Sequence, residues 1–430
     1  MASETLTEQA VSPECAVHLA VRIGRLMFSN GADSRHVADT VVNVASDLGQ
    51  EAHVLVTSDA ILATVGTSEH FSTKVGHQLT SPTVNMGHLS ALRAIIDQIH
   101  AGTLGPFEAD QRLDALETSG GRYPIIAVVL GLAITTASLA RLFGATWTVV
   151  MAALVAGAIS AVLRRQVPKI SGNQFASTFI IAILSGLAAV CALSAYPDAS
   201  PVLALTAAGM VLVPGVPLLN GIRDISGGYA GNGVARLVTG TVTVLVIGFA
   251  LFTVGLLTGA ELPVGTGPGS LPLTEDLVFS GLAAFGFALL FNVPPRAIFI
   301  CILTGIAGHG LRSALEQVAV NLPLSSLIGA FAAGLIARAA ASAYRSPAVV
   351  FAFPGVVALI PGSYGFRAGI GGLQIMAEGA AASHALIATT IALAITTTVT
   401  TIAIALGVTL SLAGSHQNLL KLEPKDRSNA

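Results

Sequence analysis

The chain has 430 residues, of which 53% are hydrophobic and only 10% charged, with a formal net charge of -2. A soluble domain carries about 25% charged residues, so this composition excludes an ordinary globular protein. The absence of a basic excess argues against a nucleic-acid partner. Cys15, Cys191 and Cys301 are too few and too far apart for a disulfide framework or a metal spacing, and read as small buried hydrophobes.

The opening MASETLTEQAVSPE is acidic and polar, unlike a secretory signal. Residues 1–122 contain no apolar run long enough to span a bilayer and read as a small α+β domain. A helix is predicted over 14–29, with Val17, Val21, Gly24 and Phe28 on one face and Asn30-Gly31 as its stop. A second starts near Asp33 or Ser34, both good N-caps, and carries Val37, Val41, Val44 and Leu48. Residues 53–57 and 61–65 read as strands joined at Ser58-Asp59, with a third from Phe71 to Val75. Helices follow over 87–100 and 107–117. Seven histidines, including His18, His36 and His88, follow no recognised metal spacing, so no metal or cofactor is expected. The Gly31-to-Arg35 turn is either a ligand contact or a helix junction.

Ten membrane helices are predicted at 123–141, 145–163, 174–195, 201–219, 234–257, 276–291, 295–311, 323–343, 347–365 and 384–412. The fourth is interrupted by Pro214, Gly215 and Pro217 and followed by Asn220, Arg223 and Asp224. The ninth is interrupted by Pro361 and Gly362, followed by Ser363, Tyr364 and Arg367. Proline removes a backbone donor and clashes with the preceding turn. A break inside a bilayer is tolerated only against protein or a water-filled cavity. Broken helices near the midplane are where secondary transporters bind substrate. The alternative is a helix that ends at the membrane surface. His309, Arg312 and Glu316 are placed in the loop after the seventh helix.

The expected domains are 1–122 soluble, 123–258 a first five-helix repeat, 259–275 a Gly/Pro-rich linker, 276–415 a second repeat and 416–430 a tail. The repeat rests on an ordered series: Gly131-Leu132-Ala133 with Gly281-Leu282-Ala283, Ser194-Ala195-Tyr196 with Ser342-Ala343-Tyr344, and Pro214-Gly215 with Pro361-Gly362. Five helices per repeat make the second enter the bilayer from the opposite side. Lys and Arg set the orientation. With both termini inside, the inner side holds Arg122, Arg164, Arg165, Lys169, Arg223, Arg236, Arg296, Arg345, Lys421, Lys425 and Arg427. The outer side holds only Arg141, Arg312 and Arg367.

GADSRHVADTVVNVASDLG at 31–49, LVPGVPLLNGIRD at 212–224 and LIPGSYGFRAG at 359–369 give the chain a resemblance to the threonine/serine exporter family, over nearly its whole length. The resemblance implies export of small hydroxyl amino acids, driven by an ion gradient (expected to be protons), across a bacterial plasma membrane. The expected architecture is a polytopic α-helical membrane protein of about ten spans in two inverted repeats, preceded by a cytoplasmic α+β domain.

A zwitterionic amino acid needs a cation for its carboxylate and an acid or carbonyl for its ammonium group. Arg223 and Arg367 can supply the first. Asp224 and the carbonyls freed around Pro214-Gly215 and Pro361-Gly362 can supply the second. Asn220, Ser363 and Tyr364 can bond a substrate hydroxyl. Arg223 alternatively pairs with Asp224 or anchors at headgroups. Asp224, Glu378 and His384 are the candidates for proton coupling. The competing function is a passive channel or facilitator for a small polar solute. An enzyme is disfavoured, because no HExxH, GxSxG or Walker A pattern is present. A ligand-sensing N-terminal domain is compatible with transport. The sequence leaves homo-oligomerisation open.

Overall fold

The computed structural model describes residues 11–66, 71–77, 84–260, 262, 264 and 271–420. The basic tail at Lys421, Lys425 and Arg427, His70 and linker residues 261, 263 and 265–270 lie outside the described residues. The chain divides into two compact units. The first is Met1–Gly120 together with Asp224–Ala235, and the second is Gly121–Arg223 together with Arg236–Ala430.

The first unit contains α1 (Pro13–Ser29), α2 (Ser34–Asp47), β1 (Ala52–Val56), β2 (Ala60–Gly66), β3 (Phe71–His77), α3 (Met86–His100) and α4 (Pro106–Thr118). The strands form an antiparallel sheet in the order β1-β2-β3. Period-two alternation buries Ile61, Ala63 and Val65 on one face. That face meets α1, whose Gly24 leaves room for Val41 and Ile61. Ser12, Asp33 and Asn85 cap α1, α2 and α3 through side-chain oxygens, each satisfying an otherwise orphaned amide. Arg22 on α1 pairs with Asp110 at 2.6 Å and with Asp114 and Glu117, tying α1 to α4.

The membrane part contains α5 (Ile125–Leu142), α6 (Trp147–Ser171), α7 (Gln174–Leu193), α8 (Val202–Met210), α9 (Gly215–Ser226), α10 (Ala230–Thr258), α11 (Leu273–Leu290), α12 (Pro295–Gln317), α13 (Leu322–Tyr344), α14 (Val349–Val356), α15 (Gly362–Glu378) and α16 (His384–Leu420). Eight described helices are long and apolar enough to cross a membrane. The bent pairs α8/α9 and α14/α15 bring the number to ten if each is one span. Cys301 is buried in α12, whereas Cys15 and Cys191 are exposed, contrary to expectation. One lies in the first turn of α1 and the other in the last turn of α7.

Several boundaries differ from the predicted ones. The fourth and ninth spans do not end soon after their prolines. They bend by 54° and 43° and continue as α9 and α15. A proline that interrupts one helix is tolerated in the first turn of the next, where its missing amide costs nothing. Residues 220–224 are therefore helical, and Arg223 and Asp224 leave a regular helix about 100° apart. The seventh span runs to Gln317, not 311, so His309, Arg312 and Glu316 are helical residues rather than a loop. α11 begins at Leu273, which puts Glu275 and Asp276 in its first turn, where acidic groups suit the helix dipole.

Small residues set the packing. Gly131 of α5 and Gly286 of α11 face each other, as do Gly308 of α12 and Gly329 of α13. The helix pairs α5·α6, α6·α7, α6·α8, α7·α8 and α5·α8 all touch. The same five pairings recur as α11·α12, α12·α13, α12·α14, α13·α14 and α11·α14.

Candidate functional site

The two breaks lie against one another inside the second unit. A Cβ built on Gly215 would come 2.6 Å from Ile360 Cδ1, and one on Gly362 would come 2.6 Å from Val213 Cγ2. Both glycines border a small gap shared with Leu139, Met210 and Phe287.

Beside the second break is a cavity of about 280 Å³. Leu359, Pro361, Ser363 and Tyr364 line it from the break, with Met210 from α8. Asp276 of α11 and His309, Arg312, Ser313 and Glu316 of α12 supply its polar wall. The α12 residues recur at i, i+3, i+4 and i+7, so one helix face carries them all. Asp276 and His309 are 5% and 4% exposed. His309 Nδ1 lies 2.8 Å from Asp276 Oδ1, and Ser313 donates to Asp276 Oδ2 at 2.7 Å. Arg312 Nη2 lies 2.7 Å from His309 Nε2, and Nη1 donates to the Leu359 carbonyl at 3.3 Å. Arg312 Nε also faces Glu316 at 3.6 Å. Among the described residues, the fully buried Ser363 hydroxyl has no hydrogen-bond partner.

The first break has a matching feature. Arg164 of α6 donates to the Val211 carbonyl, just as Arg312 of α12 donates to that of Leu359. Each arginine follows a leucine, Leu163 or Leu311, and each reaches a carbonyl 47 residues further on. A helix that bends leaves carbonyls without their i+4 amides, and a guanidinium has only donors to offer them. Arg164 and Arg312, assigned from the sequence to loops, sit inside helices and serve the breaks.

Asp224 has a different setting. It is 1% exposed, and its Oδ1 accepts from the Ser34 amide at 2.7 Å, at the start of α2. Asn232 Nδ2 donates to the Ser34 hydroxyl at 2.9 Å and to the Val56 carbonyl at 3.0 Å. The GADSR turn is thus a junction within the first unit, holding the segment between α9 and α10. A carboxylate at a helix N-terminus meets both orphan amides and the positive end of the dipole. Asp224→Ala should expose this end of α2 and cost about 1–3 kcal/mol, as expected for a buried donor left unmade. Hydrogen exchange at Ser34, Arg35 and His36 reads it directly. Unchanged protection there would show that the bond contributes nothing.

Two family models match the chain. One is described as "Putative threonine/serine exporter" and covers residues 18–258. The other, "Threonine/Serine exporter, ThrE", covers residues 276–413. The chain belongs to the threonine/serine exporter family. This is a family of transporters, not of enzymes, and the chain is a multi-pass membrane protein of it. No solved structure matches the chain.

In this exporter the residues expected at the site are divided among several places. Pro361, Ser363 and Tyr364 line the cavity. Gly215 and Gly362 line the gap between the breaks. Pro214 precedes α9 and Pro217 lies in its first turn. Arg223, with Nη1 donating to Asn220 Oδ1 at 3.1 Å, lies 5.9 Å from the Phe353 ring centre. Arg367 was assigned to the outer side. It is 3% exposed, donates to the Val264 carbonyl at 2.9 Å and lies over the Tyr364 ring. Neither Arg223, Asp224 nor Arg367 lines the cavity. Glu378 ends α15 and His384 begins α16, both exposed and both outside the cavity wall. Sequence reasoning missed Asp276, His309, Arg312 and Glu316. The signal that marks the last three is polar periodicity: a loop has no reason to repeat every three to four residues.

Proposed function

We propose that this chain is a secondary active exporter of threonine and serine, driven by the proton gradient, with its substrate site in the cavity beside the paired breaks. The observation that carries the reading is the set of groups meeting there. Arg312 can take a carboxylate, Glu316 an ammonium group, and the unpartnered Ser363 hydroxyl a side-chain hydroxyl. A pocket of about 280 Å³ has room for a small amino acid. Arg223, Asn220 and Arg367 then support the limbs beyond the breaks.

Alternating access would be a rocking of residues 123–258 against residues 276–412 as inverted repeats. The shared helix-pairing pattern and the two arginine–carbonyl contacts, each 47 residues apart, support this plan. The proposed setting is a bacterial plasma membrane with both termini cytoplasmic. With Arg164, Arg312 and Arg367 set aside, Arg122, Arg165, Lys169, Arg223, Arg236, Arg296 and Arg345 on the inner side against Arg141 on the outer side support this orientation. The first unit, which holds Asp224, would gate release into the pathway. Single cysteines at 262–272 in a cysteine-free background should label from outside. Protection there would reject the orientation.

Counterflow in proteoliposomes with a panel of labelled amino acids tests the function. Threonine should exchange at least about tenfold faster than valine, since valine leaves the Ser363 hydroxyl unpaired. Ser363→Ala should erase most of that preference. A wild-type protein that exchanges no amino acid sinks the reading, and an unchanged preference in Ser363→Ala removes Ser363 from the site.

A further inference from the structure

The hydrogen bonds around His309 determine its protonation state. A guanidinium carries donors and no acceptor. Arg312 Nη2 at 2.7 Å therefore requires a lone pair on His309 Nε2. The ring proton then sits on Nδ1, directed at Asp276 Oδ1 at 2.8 Å. His309 is held neutral in one tautomer. A proton arriving at Nε2 would remove the lone pair and set two cations against each other across the same short distance. Protonation of His309 and its bond to Arg312 exclude one another.

Arg312 links this event to the fold, because it also donates to the Leu359 carbonyl at the second break. The surroundings concentrate the effect. Asp276 faces the ring from α11, Arg312 and Glu316 lie on α12 itself, and Tyr364 of α15 shares the cavity. α13 and α14 meet this stretch of α12 through Gly329, Ala333 and Gly355, which carry no charge. Glu275, next to Asp276, is held by Arg141. The cavity wall places the imidazole within reach of water, while His309 as a whole is 4% exposed.

We propose that His309 is the proton-binding group of this exporter, and that proton uptake at Nε2 frees Arg312 from the ring and loosens its hold on the second break. The step is a proton binding. The proton comes from water in the cavity, Nδ1–H stays on Asp276, no heavy-atom bond changes and the cluster gains one positive charge. The coupling role rests on the secondary-transport reading given above. The proton-binding role is separable from it.

The test uses the full chain in nanodiscs and in proteoliposomes. In nanodiscs, the ¹⁵N imidazole resonance assigned by its loss in His309→Gln should titrate. It should titrate at higher pH in Arg312→Gln, where the competing cation is gone, and at lower pH in Asp276→Asn, where the stabilising carboxylate is gone. In proteoliposomes, an imposed pH gradient should drive threonine accumulation by wild type. His309→Gln should lose at least about tenfold of it, since glutamine cannot take up a proton in the range where histidine does. A His309 resonance flat from about pH 4 to 9 overturns the proposal. So does a His309→Gln protein that accumulates threonine as wild type does. Wild type that exchanges threonine but ignores the gradient overturns the coupling role and leaves the exporter standing. Wild type that exchanges nothing while His309 still titrates removes the exporter reading instead.

Discussion

Arg312→Ala is expected to lower threonine exchange by at least about a hundredfold, equivalent to roughly 2.7 kcal/mol of lost binding or transition-state stabilisation. This one guanidinium meets His309 Nε2, the Leu359 carbonyl and Glu316. Removing it leaves a buried ring nitrogen and a break carbonyl without a donor, each costing about 1–3 kcal/mol. Under the proposed function it also removes the cation for the substrate carboxylate. Arg312→Lys keeps the charge but not the planar fork that reaches two acceptors at once, so its loss should be nearer tenfold. Arg164→Ala separates the two contributions. Among the described residues Arg164 donates to the Val211 carbonyl and lines no part of the cavity, so its loss should lower thermal stability with a smaller effect on apparent affinity. Equal affinity losses in Arg164→Ala and Arg312→Ala would mean that Arg312 acts only as a brace. Membrane insertion and thermal melting of each variant provide the controls.

Gly362→Val should be the most damaging single change at the breaks. Even the first added carbon would lie 2.6 Å from Val213 Cγ2 and 3.0 Å from Val213 Cβ, below any ordinary contact distance. Val213 is branched at the atom that would have to retreat, so the strain passes into the backbone of the first break. Overpacking of this kind costs about 1–3 kcal/mol. Under the proposed alternating access it would also wedge apart two surfaces that move against each other. Gly215→Val meets the flexible tip of Ile360 first and should be milder. The decisive combination is Gly362→Ala with Val213→Ala. The single change should slow counterflow, and the added change should restore part of it, because it removes Val213 Cγ1 and Cγ2 and leaves the Cβ at 3.0 Å. If Gly362→Ala transports normally, or if Val213→Ala gives no rescue, close apposition of the breaks is not needed for transport.

Much of this architecture follows from local chemistry. The long apolar runs, the proline-glycine interruptions and the caps at Asp33 and Asn85 each act over a few residues. A reader of the sequence can therefore place them. The resemblance at residues 31–49, 212–224 and 359–369 pointed to the same exporter family that the two family models identify. The breaks were found by their prolines, although the spans were expected to end at 219 and 365, a few residues beyond them. Proline interrupts the preceding turn and starts a new helix equally well, and the sequence alone does not say which.

The cavity was not legible in the same way. Its polar wall joins Asp276 from one helix to His309, Arg312 and Glu316 from the next and to Ser363 from a limb some fifty residues later. Taken singly, each of these looks like an end-of-helix polar residue. Asp224 shows the same limit from the other side. Its sequence neighbours are Arg223 and the break, but its hydrogen-bond partner is Ser34, 190 residues away. Hydrophobicity and backbone propensity are properties of neighbouring residues, so the sequence by itself determined the membrane class, the helices and the places where they bend. Which buried charge meets which partner depends on distances of about 3 Å between segments far apart in the chain. Only the packing of glycine-faced helices against one another decides those distances.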